Sequence, residues 1–385
     1  FLFPQIEDYT ELLMPEDLLS TQSVLHAVKE ALTKEVCQDV EVIGWLYQFY
    51  ISEKKDEVIN RRGKVAKDEI PAATQLFTPE WIVRFIVQNS LGRRGHQNSG
   101  QRRIRSQMEY YIPPAMQETD FLKVETPDEL KILDPACGSG HILTYAFDLL
   151  YAIYEEMGYD PITIPRFILE KNLYGVEIDK RAAMLASFAL MMKAVEKDRG
   201  FFTRKLQPNI LEMEDISFDT QEVKAYMSKV GENLWTQELW EGLHQFENAK
   251  TFGSLIRPAL KDVPELRERI KAKGVFEDLF LANTNEKVQK LLETSGYLSS
   301  RYHVVVTNPP YMGSRAQEED LKTFLKDNYS DEKSDMFAAF INRCIDLSLY
   351  GGQIGLVTPF VWMFISSYEK LRKKIISKTT ITNLI

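Results

Sequence analysis

Cysteine and histidine are scarce in this sequence, and neither is spaced as metal ligands usually are. The 385 residues include five histidines and three cysteines, Cys37, Cys137 and Cys344. Three scattered cysteines cannot build a disulfide framework or a zinc site, so we assign no metal. Their scarcity favours a reducing compartment, and we expect a cytoplasmic protein.

Long apolar runs and an excess of basic residues are also missing. No stretch approaches the 18 or so apolar residues of a membrane span, and no secretory signal opens the chain, so we expect no membrane partner. The net charge of −9 argues against a surface coated with basic residues. An enzyme acting on DNA can nevertheless confine them to one cleft. The cluster that begins at Arg93 and Arg94 is therefore either a solvated loop or a phosphate-binding site.

The hydrophobic fraction of 44% suffices for one large or two ordinary domains. We predict an N-terminal helical region over residues 1–70 and a catalytic domain over residues 71–385. Residues 93–120 lack periodicity and are predicted to form a long loop. Residues from about 200 to 300 are predicted to form a charged, mainly helical insertion. From Thr380 the chain alternates like a strand with no turn after it, so we expect a fragment truncated at its C-terminus.

Strands and helices alternate from residue 131 onward. Short apolar segments at residues 131–133, 173–176, 303–307 and 355–357 are predicted strands, and amphipathic helices lie between them. This pattern predicts an α/β fold with a doubly wound parallel sheet. Ligands bind such sheets at the carboxyl ends of the strands.

The tetrapeptide Asn308-Pro309-Pro310-Tyr311 directly follows one predicted strand. The Asn308 side-chain oxygen and the Pro309 carbonyl can each accept a hydrogen from an exocyclic amine, which leaves the nitrogen lone pair free to attack a methyl group. Pro310 disfavours helical ψ at Pro309 and so holds that carbonyl outward. Tyr311 offers a flat face for an extruded base. The alternative is a proline turn with a surface tyrosine.

Two further strand ends carry residues suited to a nucleotide-like ligand. The segment Asp134-Pro135-Ala136-Cys137-Gly138-Ser139-Gly140 opens a helix, where its glycines allow close backbone approach and its amides suit a ligand carboxylate. Glu177 can accept both hydroxyls of a ribose. Ile178 can pack against an adenine ring, while Asp179 is predicted to cap the next helix. A tight turn and a plain helix cap are the structural alternatives.

A third segment, Phe77-Thr78-Pro79-Glu80, precedes an amphipathic helix. Thr78 is predicted to be its N-cap, with Pro79 at the first helical position. That structural role is sufficient to explain both residues on their own.

Taken in chain order, these four segments resemble the S-adenosylmethionine-dependent, adenine-specific DNA N6-methyltransferases. Within that family the likeness is closest to the large methyltransferases of BREX phage-defence systems. Three segments carry this narrower likeness: Asn308–Gly313, Ser334–Phe337 and Val361–Arg372.

The resemblance implies a Rossmann-like, seven-stranded sheet and S-adenosylmethionine as cofactor. The residues it implies as cofactor contacts are Phe77, Thr78, Asp134, Ala136, Gly138, Gly140, Glu177 and Ile178. Double-stranded DNA would supply a flipped adenine to Asn308, Pro309, Pro310 and Tyr311, and other phage-defence proteins are candidate partners. Either Asp215 or the Asn248–Ser254 segment could occupy the family's acidic position near the cofactor adenine. The domain that recognises the DNA sequence would follow Ile385.

Two alternatives remain open. Release-factor glutamine methyltransferases also use Asn-Pro-Pro-Tyr, so the substrate could be a protein, or an RNA. The chain could instead be a non-catalytic DNA-binding component of a defence complex that retains a cofactor pocket.

Overall fold

A parallel five-stranded sheet, in the order β3-β2-β1-β4-β5, organises the chain. The computed structural model describes residues 15–18, 20–36, 41–61, 63–99, 102–116, 118–230, 237–260, 262–272 and 281–385. The strands are β1 (Ile132–Asp134), β2 (Leu173–Glu177), β3 (Asn209–Glu212), β4 (Tyr302–Thr307) and β5 (Ser348–Leu356). The predicted α/β fold is confirmed. The sheet has five strands in the described residues, two fewer than the resemblance implies.

The described residues also form seventeen α-helices around the sheet. Those before the sheet are α1 (Val24–Ala31), α2 (Glu41–Asn60), α3 (Ile70–Thr74), α4 (Glu80–Val87), α5 (Arg93–Ser99) and α6 (Arg102–Gln107). Those between β1 and β4 are α7 (His141–Glu156), α8 (Ile164–Phe167), α9 (Lys180–Lys197), α10 (Thr220–Val230), α11 (Gln237–Gln245), α12 (Ala249–Phe252), α13 (Val263–Lys271) and α14 (Ala282–Ser299). The last are α15 (Glu319–Asn328), α16 (Met336–Leu347) and α17 (Glu369–Lys378). No described helix is both long and apolar enough to cross a membrane.

The strand order creates a switch point beside β1. From β1 the chain builds outward through β2 and β3 on one side, then returns to add β4 and β5 on the other. In open α/β sheets a crevice forms outside the carboxyl ends of the strands at such a point. The ends of β1, β2 and β4 therefore meet around one crevice.

Alternate side chains of the strands enter two separate hydrophobic cores. Ile132 and Val304 point into the core covered by α4, α7 and α9. Leu133 and Val305 point into the opposite core, covered by α10, α14 and α16. Burial on both faces explains why these strands are continuous apolar runs rather than alternating ones.

The predicted loop over residues 93–120 is wrong in its first half, which holds α5 and α6. Arg94 is fully buried there and donates to the carbonyls of Leu122 and Gly351, and Arg93 forms an ion pair with Glu118. Hydrogen bonds and an ion pair, rather than apolar contacts, pack this segment against the rest of the chain. Its sequence therefore shows no apolar periodicity. Arg93 and Arg94 are thus neither solvated nor available to phosphate.

Two other sequence-based boundaries also need correction. β3 lies inside the predicted insertion at 200–300, so the insertion begins only after Glu212. That strand is four residues long and only Leu211 is buried, which leaves little pattern to detect. The strand predicted from Thr380 is not formed, since residues 379–385 have no regular structure.

The N-terminal region packs against the catalytic domain. Tyr47 and Ile51 of α2 are buried against Ala182 of α9. The domain boundary at residue 70 stays a prediction, and Cys37 lies outside the described residues.

Gly175 in β2 has no room for a side chain. An added Cβ would lie 2.6 Å from Ile210 Cδ1 and 2.9 Å from Cys137 Sγ. We expect Gly175→Ala to lower the free energy of unfolding by about 1–3 kcal/mol through overpacking. Denaturant titration would measure this, with Gly63→Ala as control because Gly63 has no atom within 4 Å of an added Cβ. Equal stability of the two variants would contradict the packing described.

Candidate active site

Two glycines shape the turn between β1 and α7. Gly138 and Gly140 have φ values of 55° and 87°, where other residues are strained. A Cβ at Gly140 would also lie 3.0 Å from the main chain of Ala186 in α9. Glycine is therefore required at Gly140 for both conformation and packing.

The Glu177 carboxylate joins the turns that follow β1 and β2. Its Oε2 accepts a hydrogen bond of 2.8 Å from the Gly138 amide. Its Oε1 accepts hydrogen bonds of 2.9 Å from the amides of Ile178 and Asp179. Burial raises the pKa of Glu177 to about 7, although these amides act in the opposite direction. A carboxylate has about four acceptor positions, so Oε2 keeps capacity for one more donor.

Asp134, at the end of β1, is only 1% exposed. Its Oδ1 accepts from the Ala136 amide at 3.1 Å, whereas Oδ2 has no hydrogen-bond partner among the described residues. Burial raises the pKa of Asp134 to about 7. The nearby Thr307 hydroxyl acts in the opposite direction and lowers this pKa, although the two side chains do not meet the geometry of a hydrogen bond. A buried oxygen without a partner is costly, so Oδ2 adds to the cost of ionising this carboxyl.

Asp179 is the N-cap of α9, as predicted: its side chain accepts from the Ala182 amide at 2.9 Å. The prediction that Thr78 is an N-cap is wrong. Pro79 occupies that position, α4 begins at Glu80, and no side chain caps the helix. Pro79 already sets the backbone for helix entry, which leaves the Thr78 hydroxyl available for another contact.

That contact is with Asn308, directly after β4. The Asn308 Nδ2 donates to Thr78 Oγ1 at 3.0 Å, and the Tyr311 hydroxyl donates to Asn308 Oδ1 at 2.6 Å. The Tyr311 ring is half-buried and meets Phe337 edge to face at 6.2 Å. The carboxamide is thereby held at both ends.

Asn308 and most of the predicted cofactor contacts line one cavity. Its empty volume is about 1030 Å³, including the open mouth. The predicted residues in its wall are Phe77, Thr78, Asp134, Ala136, Gly138, Glu177, Ile178, Asn308 and Pro310. Gly140, Pro309 and Tyr311 do not line it, although Tyr311 contacts Asn308 in its wall.

The end of α12 and the two residues after it form a wall of the cavity, in a segment whose role the sequence left open. Thr251, Phe252, Gly253 and Ser254 line it, and an added Cβ at Gly253 would lie 3.1 Å from Ile178 Cγ2. Asp215 does not line the cavity. It accepts from the Lys250 amide and pairs with Lys67 at 2.9 Å. The segment beside Ile178 therefore contains no acidic residue.

Helix α2 supplies a second wall that sequence reasoning missed. Gly44 and Tyr47 line the cavity, and an added Cβ at Gly44 would lie 3.0 Å from Ser139 Oγ. Burial raises the pKa of the Tyr47 hydroxyl, and the nearby Asp179 carboxylate raises it further. No motif in α2 signals this role. Among the described residues, no cluster of His, Cys, Asp and Glu could hold a metal ion.

Two models of known protein families match this chain. Residues 171–385 match the family model described as Eco57I restriction-modification methylase, and residues 121–219 match the MmeI DNA-methyltransferase domain. The first match covers more than half of the chain. The chain belongs to the Eco57I restriction-modification methylase family.

Individual relatives confirm the resemblance to adenine-specific methyltransferases. This member of the Eco57I methylase family is 42% identical to the adenine-specific methyltransferase BrxX of Escherichia coli O9:H4 (strain HS), over 99% of this chain and 34% of BrxX. It is 35% identical to the adenine-specific methyltransferase PglX of Lacticaseibacillus casei (strain Zhang), over 98% of this chain and 33% of PglX. The chain spans about a third of the length of these relatives.

A solved structure is also similar to this Eco57I-family chain. It is the ATP-dependent Type ISP restriction-modification enzyme LlaBIII bound to DNA, at 14% identity and a TM-score of 0.46. The likeness covers 95% of this chain and 19% of that one.

The raised pKa of Asp134 predicts a pH-dependent effect of Asp134→Asn. Between the unfolded pKa near 4 and the folded value of about 7, the folded state binds more protons, so this carboxyl lowers stability as pH rises. Asparagine stays neutral. We therefore expect the stability of Asp134→Asn relative to wild type to increase between pH 5 and pH 8, measured by urea unfolding.

Asp128→Asn is the matched control. Its carboxylate accepts from Lys171 Nζ at 2.8 Å, and that bond lowers its pKa, so it is ionised throughout this pH range. Its effect on stability should not change with pH. If the effect of Asp134→Asn were also independent of pH, burial would not raise the pKa of the Asp134 carboxyl.

Proposed function

We propose that the chain is the catalytic domain of a methyltransferase that transfers a methyl group from S-adenosylmethionine to the N6 amine of adenine in double-stranded DNA. The observation that carries this proposal is that Asn308 shares one cavity with Asp134 and Glu177. Membership in the Eco57I methylase family supports it. We place the activity in the cytoplasm, in a phage-defence or restriction-modification system with other defence proteins as partners.

The chemistry of the cavity fits S-adenosylmethionine. The ligand carries an ammonium, a ribose diol, an adenine and a positively charged sulfonium that supplies the methyl group. The cavity presents a carboxylate with spare capacity on Glu177 and apolar side chains at Ile178 and Phe252, and the Asp134 carboxyl lies buried beside it.

Charge complementarity supports roles for both carboxylates. In a buried site with low dielectric, Asp134 and Glu177 attract a cationic ligand more strongly than they would in water. Glu177 Oε2 would accept from a ribose hydroxyl, while Asp134, whose Oδ2 is enclosed by protein, would act on the ligand through its charge. A bound cation also favours the ionised form of each carboxyl and would lower the pKa that burial raises.

Asn308 and Pro309 would bind the target amine. Oδ1 of Asn308 accepts one hydrogen bond from Tyr311 and keeps a second lone pair for an amine hydrogen. The Pro309 carbonyl would accept the other hydrogen. With both hydrogens held, the nitrogen lone pair would be free to attack. S-adenosylmethionine would supply the methyl group, so a nitrogen–carbon bond would form as the carbon–sulfur bond breaks, and the amine would lose one proton to solvent.

The direct test uses the complete polypeptide that carries these residues. It would be incubated with tritiated S-adenosylmethionine and, separately, duplex DNA, tRNA and protein. We expect label in DNA, recovered as N6-methyladenine. Label in protein glutamine or in tRNA would support the alternative methyltransferase classes. Cofactor binding without transfer to any substrate would support a non-catalytic role.

Asn308→Ala and Glu177→Ala should separate methyl transfer from cofactor binding. We expect Asn308→Ala to reduce transfer below about a tenth of wild type with nearly unchanged cofactor affinity, because its partner is the amine. Glu177→Ala should weaken cofactor binding in calorimetry. Glu212→Ala is a matched control, since Glu212 pairs with Glu177 in the β2–β3 register but does not line the cavity. Wild-type transfer by Asn308→Ala would contradict the amine-binding role.

Tyr311 should act through its ring as well as its hydroxyl. Tyr311→Phe keeps the ring, and Tyr311→Ala removes a stacking face worth roughly 1–3 kcal/mol per base. We therefore expect single-turnover transfer to fall at least about fivefold further in the alanine variant than in the phenylalanine variant. Equal rates for the two variants would show that the ring does not hold the base.

A further inference from the structure

We propose that Thr78 is a positioning residue for Asn308. Its hydroxyl accepts a hydrogen bond from Nδ2 and so holds the carboxamide in place, with Oδ1 available to the target amine. This inference rests on the proposed function and assigns Thr78 a role different from the cofactor contact that the family resemblance implies.

The geometry identifies the orientation of the amide. Thr78 is 6% exposed, and its Oγ1 lies 3.0 Å from Asn308 Nδ2, a usual N–H···O separation. At the other end of the amide, the Tyr311 hydroxyl lies 2.6 Å from Oδ1, within the shorter range of O–H···O bonds. In the structure Nδ2 thus donates to Thr78 and Oδ1 accepts from Tyr311, and together these two bonds hold the carboxamide.

Orientation matters because the two ends of a carboxamide have opposite chemistry. Oδ1 accepts a hydrogen from the target amine and leaves the nitrogen lone pair free. If the amide were rotated by half a turn, Nδ2 would donate towards that nitrogen and engage the lone pair needed for attack. The same residue would then inhibit the transfer that it should promote.

Tyr311 cannot secure this orientation alone. Its hydroxyl has a single proton and two nearby acceptors, Asn308 Oδ1 at 2.6 Å and the Val357 carbonyl at 3.1 Å. When it turns to Val357, Oδ1 loses its donor. The Thr78 hydroxyl is then the remaining contact that holds the amide, and it is available because α4 does not use it as a cap.

The two roles for Thr78 predict different kinetics. A cofactor contact would change the cofactor dissociation constant and leave the rate at saturating cofactor intact. A positioning residue would change the saturated rate and leave that constant intact. Thr78→Val removes the hydroxyl at nearly constant shape, whereas Thr78→Ser keeps the hydroxyl and removes only a methyl group.

The control is Thr144→Val in α7. Thr144 is also 6% exposed, but its hydroxyl donates to the His141 carbonyl of its own helix at 2.9 Å, and its side chain does not line the cavity. It reports the general effect of replacing a buried threonine by valine. Thermal unfolding of each variant would be measured beside its activity.

Single-turnover methylation of duplex DNA by the complete polypeptide, with saturating S-adenosylmethionine, is the test. We expect Thr78→Val to slow transfer roughly 10-fold to 100-fold, the factor for one buried hydrogen bond, with a cofactor dissociation constant within about twofold of wild type. Thr78→Ser should transfer within about threefold of wild type, because serine keeps the hydroxyl that accepts the hydrogen bond from Asn308. Thr144→Val should match wild type.

Several results would overturn the inference. Wild-type transfer by Thr78→Val, or weakened cofactor binding with an unchanged saturated rate, would remove the positioning role. So would an equal loss in Thr78→Ser, because that variant keeps the hydroxyl; this comparison also holds if the valine variant folds poorly. If the wild-type polypeptide did not methylate DNA at all, the proposed function itself would fail, which is a separate outcome.

Discussion

The carboxylate of Glu177 is the interaction on which the geometry of the site depends. It accepts main-chain hydrogen bonds from Gly138, Ile178 and Asp179, and so fixes the turns after β1 and β2 relative to each other. These turns line the cavity, and the buried Asp134 lies beside them. Burial raises the pKa values of Asp134 and Glu177 to about 7, which disfavours their ionised forms. A cationic ligand would favour the ionised forms, which links this geometry to the proposed cofactor.

The second constraint is the sheet order, which brings Asn308 to the same cavity. Because β4 pairs directly with β1, the residue that would hold the amine lies next to the turn that would hold the methyl donor. Thr78 joins from outside the sheet, 230 residues away in sequence. Strands that are packed on both faces thus fix the positions of Asn308 and of the turn after β1. The Asn308 amide itself is held by the hydroxyl groups of Thr78 and Tyr311.

Strands β1, β2 and β4 and the cap at Asp179 were predictable, because each rests on local sequence pattern. The residues that gather at the cavity were predictable from their motifs together with the family resemblance. The helices α5 and α6 were not, since their burial comes from polar contacts such as those of Arg94 rather than from apolar periodicity. The walls formed by Tyr47 and by Thr251–Ser254 depend on long-range packing and carry no motif. The same is true of the Thr78–Asn308 bond, which only tertiary structure creates.

The most direct test is a structure of the complete polypeptide with duplex DNA containing its target adenine and a cofactor analogue that cannot transfer a methyl group. The account predicts an adenine turned out of the duplex, with N6 at about 3 Å from both Asn308 Oδ1 and the Pro309 carbonyl. Thr78 Oγ1 should remain against Asn308 Nδ2. An adenine left stacked in the duplex, or an N6 amine directed away from Asn308, would contradict it.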